Sequence, residues 1–191
     1  IYVDETLVPI IEDQVAVFES EYEAKVKLLA KSEAETVNTL FKEKGAIAVL
    51  SRKLSDEELK IFKQRKINPK MTVFATDAIA FITKKGSKDT LIALQDVISF
   101  MQGKPVASIK SLVFDNLNSS TVRYMSTLAG IAKVPEKNVF SFKSNNDVIK
   151  YASENEGVIG VVGVNWLSQP SVGMQKYVDN ITTLGVKGTK D

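Results

Sequence analysis

The chain contains neither cysteine nor histidine. Without a thiol or an imidazole, cysteine nucleophiles, Ser-His triads, imidazole acid–base catalysis and the usual zinc sites are excluded. Proton transfer is left to carboxylates, lysine and tyrosine, and a metal would find only oxygen ligands. Charge of one sign is also lacking: 25 Lys and Arg against 23 Asp and Glu give a formal charge of +2 over 191 residues. That balance supplies neither the basic footprint of nucleic-acid binding nor an acidic tail. No apolar run approaches the ~20 residues that span a bilayer. The chain opens on the strand-like Ile1-Tyr2-Val3, as expected where a leader has been removed or left out. The absence of cysteine fits any redox compartment. What is present is ordinary for a globular protein, with 44% hydrophobic and 25% charged residues. The length suits one large domain or two small lobes around a proper core.

Strand-like and helix-like segments alternate along almost the whole chain, which implies α/β architecture with mostly parallel strands. Ile1–Asp4 reads as a strand, followed by a helix on Val8, Ile11, Val15, Phe18 and Tyr22. Lys25–Ala30 alternates as a strand, and the next helix stops at Gly45. Ala46–Leu50 is a short buried strand. Leu54-Ser-Asp-Glu-Glu-Leu59 spells a capping box, Ser55 with Glu58, stapled by Leu54 onto Leu59. Met71–Thr83 reads as a long β stretch interrupted at Asp77, and Leu91–Met101 as a helix ended by Gly103. The strand Ser111–Phe114, a helix from Ser119, the strand Asn138–Phe142, a helix over about 145–154 and the strand Val158–Val162 complete the pattern. The polar, Gly-dotted tail after Ser168 has no clear assignment, and its last residues, Gly185–Asp191, read as disordered or as a cut end.

The most informative stretch is Val113-Phe-Asp-Asn-Leu-Asn-Ser-Ser-Thr-Val-Arg-Tyr124. An apolar strand breaks at Asp115, and Ser119, Ser120 and Thr121 then open an amphipathic helix. Hydroxyls in a first helical turn stand beside free backbone N–H groups and the positive end of the dipole, which together form an anion site. They are equally the preferred caps of any helix. The same kind of turn recurs at Asp4-Glu5-Thr6, at Lys31-Ser32-Glu33 and at Ser51-Arg52, each beyond the carboxyl end of a strand, where parallel sheets gather ligand groups. Thr6, Ser32, Ser51, Ser119, Ser120 and Thr121 are therefore the candidate ligand-binding residues, with Arg52 as the cation because a guanidinium matches oxyanion geometry. Charge-assisted hydrogen bonds contribute ~1.5–3 kcal/mol each, so five or more would hold a desolvated oxyanion without a catalytic residue. Asp4 and Asp115 repel an anion unless it carries a proton; a carboxylate then accepts a hydrogen bond from HPO₄²⁻ that sulfate cannot donate. Both also read as simple helix caps. The Gly157–Gly163 run lacks the spacing of a phosphate loop and reads as a buried, closely packed strand. Trp166 reads as a packing residue or a pocket aromatic.

These residues resemble the extracytoplasmic phosphate-binding proteins of ABC phosphate importers, with their two-lobe, type II periplasmic-binding-protein fold. The resemblance runs through the Thr6 and Ser32 turns, Ala48-Val-Leu-Ser-Arg-Lys-Leu54, Thr76-Asp-Ala-Ile-Ala-Phe-Ile82, Asn118-Ser-Ser-Thr121 and Gly157-Val-Ile-Gly160. It implies that Ser119, Ser120 and Thr121 bind phosphate. It further implies a first lobe of residues 1–76 and 166–191 and a second of 77–165, hinged near Thr76–Asp77 and Val164–Asn165. In that fold a further carboxy-terminal segment completes the first lobe, so a fragment or a shortened relative is expected. The implied protein makes and breaks no bond and needs no cofactor. Its partners are inorganic phosphate and an importer permease, not nucleic acid, and it acts outside the cytoplasm, touching the membrane only through a lipid anchor or its partner. Two departures stand out: Asp115 occupies a position where the family often has Arg, and Ser51 and Arg52 stand where a phosphate-accepting Asp often follows the third strand. Two other functions stay open. One is an oxygen-ligand metal or phosphoester enzyme using Asp4, Glu5, Asp77 and Asp115, weakened by the lack of His and of any DxD motif; the other is a ligand-free interaction module on the same fold.

Overall fold

The computed structural model describes residues 1–88 and 90–188. The chain begins with β1 (Tyr2–Asp4), a 3₁₀ turn (Glu5–Leu7) and α1 (Val8–Glu21). Pro9 sits in the first turn of α1, where its missing N–H has no helical partner to lose. β2 (Leu29–Lys31), α2 (Glu33–Lys42), β3 (Ala48–Val49) and α3 (Asp56–Gln64) follow. The strands form a parallel sheet in the order β2-β1-β3. Ser55 and Glu58 close the expected capping box on α3, and Ser32 and Glu35 close a second one on α2. The apolar clusters here are small: Val3, Leu7 and Ile11 in one, Val37, Leu54 and Phe62 in the other.

A larger sheet follows. β4 (Ile79–Lys84), β5 (Leu91–Ala93), α4 (Leu94–Met101), β6 (Ser111–Phe114), α5 (Ser120–Ala129), β7 (Val139–Ser141), α6 (Asn145–Glu154) and β8 (Val158–Gly163) come in that order. The chain then adds α7 (Asn165–Ser168), α8 (Gln175–Val178), β9 (Ile181–Thr183) and β10 (Gly185–Lys187). The five-stranded sheet runs β7-β6-β8-β4-β9, with β6 parallel to β7 and β8 and β4 antiparallel to β8 and β9. β10 and β5 pair separately, in parallel. Alternation along the strands sorts the core. Phe81, Leu112, Phe114 and Val161 face the cluster under α4 and α5, while Ala80, Ile82, Val113 and Val162 face the cluster under α6. The Gly157–Gly163 run is indeed closely packed: a Cβ on Gly160 would lie 2.8 Å from Ile82 Cγ1 and 3.0 Å from Val148 Cγ1. Among the described residues no helix is long and apolar enough to cross a membrane.

Several elements differ from expectation. The stretch 71–78, expected to be β, forms no strand; the Asp77 carboxylate takes the Ala78 N–H at 2.8 Å, and the Ala78 carbonyl accepts from the Val164 N–H at 2.9 Å. Leu91–Ala93, expected as the start of a helix, is a strand because β10 returns to pair with it, a non-local partner that local periodicity does not reveal. The strands expected at Lys25–Ala30 and Ala46–Leu50 shorten to Leu29–Lys31 and Ala48–Val49. In the return segment β9 pairs with β4, and Tyr177, Val178 and Ile181 pack on the core cluster of the larger sheet. Gly185–Lys187 is a strand, and residues 189–191 of the expected disordered tail lie outside the described residues.

Candidate functional site

β1 and β6 are the inner strands from which the polar centre is built, one from each sheet. At the end of β1, Asp4 Oδ1 accepts hydrogen bonds from the Thr6 N–H (3.1 Å) and the Thr6 hydroxyl (3.0 Å). At the end of β6, Asp115 Oδ1 accepts from the Ser119 hydroxyl (2.5 Å), and Ser119 Oγ accepts from the Val122 N–H (3.2 Å) as the N-cap of α5. Asn145, at the first turn of α6, donates to Asp115 Oδ2 (3.0 Å) and accepts from the Gly163 N–H (3.3 Å). The two centres meet where Thr6 Oγ1 and Ser120 Oγ share a hydrogen bond of 2.8 Å, across 114 positions of sequence. The Thr6 carbonyl accepts from Asn165 Nδ2 (2.7 Å) and Trp166 Nε1 (3.0 Å), so the segment leaving β8 clasps the same turn. Trp166 thus joins packing to a polar contact, its ring lying against the cluster that includes Ile82 and Val148.

The centre is buried and rich in carboxylate. Asp4, Asp115, Thr6, Ser119, Ser120 and Thr121 are all buried. Asp4 Oδ2 and Glu5 Oε1 are buried with no hydrogen-bond partner among the described residues. Burial raises the Asp4 carboxyl above its ordinary value, against hydrogen bonds from Ser120 and Thr6 that lower it. Glu5 rises to about 7, first through burial and then through the charges of Asp115, Asp4 and Glu35. Asp115 rises to about 6, chiefly through burial, with Asp4 adding repulsion. The nearby guanidinium groups are bound to Glu33, a buried residue at the start of α2. Arg52 Nε donates to Glu33 Oε1 at 2.9 Å, Arg123 Nε to the same oxygen at 2.5 Å, and Ser51 Oγ to Oε2 at 3.1 Å. Arg52 also grips Glu58 with two bonds, 2.7 and 2.8 Å, which hold that carboxyl below its usual range.

A cavity of about 590 Å³ adjoins this centre. Of the candidate ligand residues, Thr6, Ser51, Ser120 and Thr121 line it. Asp4, Asp115 and Ser119 lie behind them in the hydrogen-bond network. Ser32 turns to Glu35, to which its hydroxyl donates at 2.7 Å, and Arg52 turns to Glu33 and Glu58. Arg123, which the sequence reading quoted without a role, lines the cavity and bridges the sheets through Glu33. Glu33 and Asn165 were named for a turn and a hinge but given no role in the site, and Asn145 was given none either. A buried charge at a helix start has no spacing signature, although the Ser32-Glu-Ala-Glu35 spelling does mark the box that turns Ser32 away. Asp77 lines the cavity as well, with its carboxyl raised by burial. Among the described residues no group of three or more carboxylates is arranged to hold a metal ion.

A family model described as a PBP superfamily domain matches residues 1–189. The phosphate-binding protein PstS of Borreliella burgdorferi is 29% identical over 180 residues, covering 84% of this chain and 61% of that protein. This chain therefore spans less than two thirds of that relative's length. A Clostridium perfringens structure, described as a phosphate ABC transporter substrate-binding protein with bound phosphate, superposes with a TM-score of 0.76 at 18% identity, over 97% of this chain and 75% of the other. The crystal structure of PstS from Borrelia burgdorferi aligns with a TM-score of 0.52 at 25% identity, over 98% and 76% of the two chains. The mixed α/β architecture, with two larger sheets and a polar centre between them, is that of the two-lobe periplasmic-binding-protein fold.

Proposed function

The chain belongs to the PBP superfamily, and from that premise we propose that it captures inorganic phosphate between its two lobes, outside the cytoplasm, for an ABC importer. The observation that carries this reading is the Thr6–Ser120 contact between the lobes, beside a buried Asp4 whose Oδ2 has no partner among the described residues. An oxyanion entering there would replace the direct contact. It would accept from the Ser120 hydroxyl and from backbone N–H groups at the first turn of α5, and donate its own proton to Asp4 Oδ2, while the Thr6 hydroxyl keeps its bond to Asp4 Oδ1. Sulfate has no proton to donate at neutral pH, so it would leave Asp4 facing another oxygen lone pair, a full desolvation loss with no return. Thr121 completes the cradle, while Ser119 and Asp115 position α5. Ser32, Ser51 and Arg52 act at one remove, by holding α2 and Glu33.

In this reading no bond is made or broken and no cofactor is needed. In it the lobes divide near Thr76–Asp77 and Val164–Asn165, and the pairing of β9 with β4 supports grouping residues 181–183 with the second lobe. Closure delivers the anion to a permease. A ligand-free interaction module is the second reading, favoured by the carboxylates that already hold Ser119 and Ser32. Isothermal titration near pH 7 separates them. Saturable phosphate binding that Thr121→Val weakens, with sulfate silent, is expected. Equal binding of sulfate would remove the role given to Asp4, and silence from both anions in a folded sample would select the interaction module.

A further inference from the structure

Resting on that reading, we infer that the same anion site also takes a phosphoryl or phosphonyl group carried on an apolar body. The cavity of about 590 Å³ falls within the ~300–1,000 Å³ typical of sites for organic ligands. An inorganic phosphate is a single five-atom group and would fill a small part of it. The cavity is one continuous space that begins at the hydroxyls and continues over apolar side chains. Thr121, Tyr124, Met125 and Leu128 line it at helical spacing, so it runs from the first turn of α5 along one face of that helix. Val186 of β10 lines it too.

Tyr124, Leu128 and Val186 are 52%, 39% and 47% exposed. Apolar side chains open to water inside a polar-headed cleft mark a surface that a ligand covers. The charge offered to a head group is shared with carboxylates: Arg52 and, through Nε, the cavity-lining Arg123 bond Glu33, and the hydroxyls are backed by Asp4 and Asp115. Binding must then draw on burial of apolar surface, which the α5 face offers and a bare phosphate does not use.

Titration of the purified protein with phosphate, methylphosphonate and phenylphosphonate tests this. Phenylphosphonate is expected to bind tightest, about tenfold or more above methylphosphonate, from the ring surface removed from water. Leu128→Asn, a change at a partly exposed position that spares the core, is expected to abolish that preference. Equal affinities for the two phosphonates, or binding of inorganic phosphate alone, would overturn the inference and leave phosphate capture standing. Silence from all three would overturn both.

Discussion

Asp4 and Glu5 are neighbours in sequence, and each places a carboxylate oxygen in a buried setting without a partner among the described residues. Asp4 is offset by hydrogen bonds from Ser120 and Thr6; Glu5 has a weaker set and feels the charges of Asp115, Asp4 and Glu35. Glu5 at about 7 and Asp115 at about 6 both stand above the ordinary carboxyl range. For an acid with a raised folded-state pKa, the folded chain holds a proton that the unfolded chain releases. The resulting stability is fully present below the unfolded value near 4 and is lost as pH rises through 6 to 7. Glu5→Gln, which cannot ionise, is therefore expected to raise Tm at pH 8, leave it unchanged at pH 4, and flatten the profile between; a lower Tm at pH 8 would contradict the assignment. Of these residues, Asp4, Thr6 and the Ser119–Thr121 hydroxyls were legible because caps and hydroxyl turns follow strand ends. The Glu33 bridge to Arg52 and Arg123 was not legible, since it depends on which turns face each other across the two sheets.

At the scale of elements, local chemistry predicted best where it was self-contained. The capping box of α3 and the helices α5 and α6 needed only spacing and side-chain type, whereas of the face expected for α1 only Ile11 is buried and Phe18 and Tyr22 are exposed. It failed where a distant strand decided the outcome, as at Leu91–Ala93 beside β10, and over 71–78, where the chain forms no strand. β8 shows both sides. Its glycine content is that of a phosphate loop but its spacing is not, and the strand reading holds: burial on both faces and the lack of a Cβ at Gly160 let β4 and α6 close over it. Gly160→Ala would drive a methyl to 2.8 Å from Ile82 and 3.0 Å from Val148. Overpacking of this kind costs ~1–3 kcal/mol, so urea denaturation should show a lowered midpoint with an unchanged slope. A midpoint equal to that of the parent protein would mean that the sheet and α6 part more easily than their packing implies.

At the scale of the whole molecule, closure is held by a few contacts between the sheets. Thr6 meets Ser120, Asn165 and Trp166 hold the Thr6 carbonyl, and Arg123 reaches Glu33. The two-sheet α/β plan could be read from the alternation of segments and from the family resemblance. The placement of the return segment could not, because β9 and β10 are three residues each and take their partners from far along the chain. The departures at Asp115 and at Ser51 and Arg52 were visible, and across the two sheets the guanidinium groups of Arg52 and Arg123 both bond Glu33. The central claim is that an oxyanion takes the place of the Thr6–Ser120 contact and shares its proton with Asp4. A crystal structure of the protein grown with phosphate tests it directly. The account predicts an anion between the two hydroxyls, now parted beyond the 2.8 Å of their mutual bond, with one oxygen within hydrogen-bond reach of Asp4 Oδ2. Phosphate bound elsewhere, with Thr6 and Ser120 still joined and Asp4 remote from it, would contradict the account.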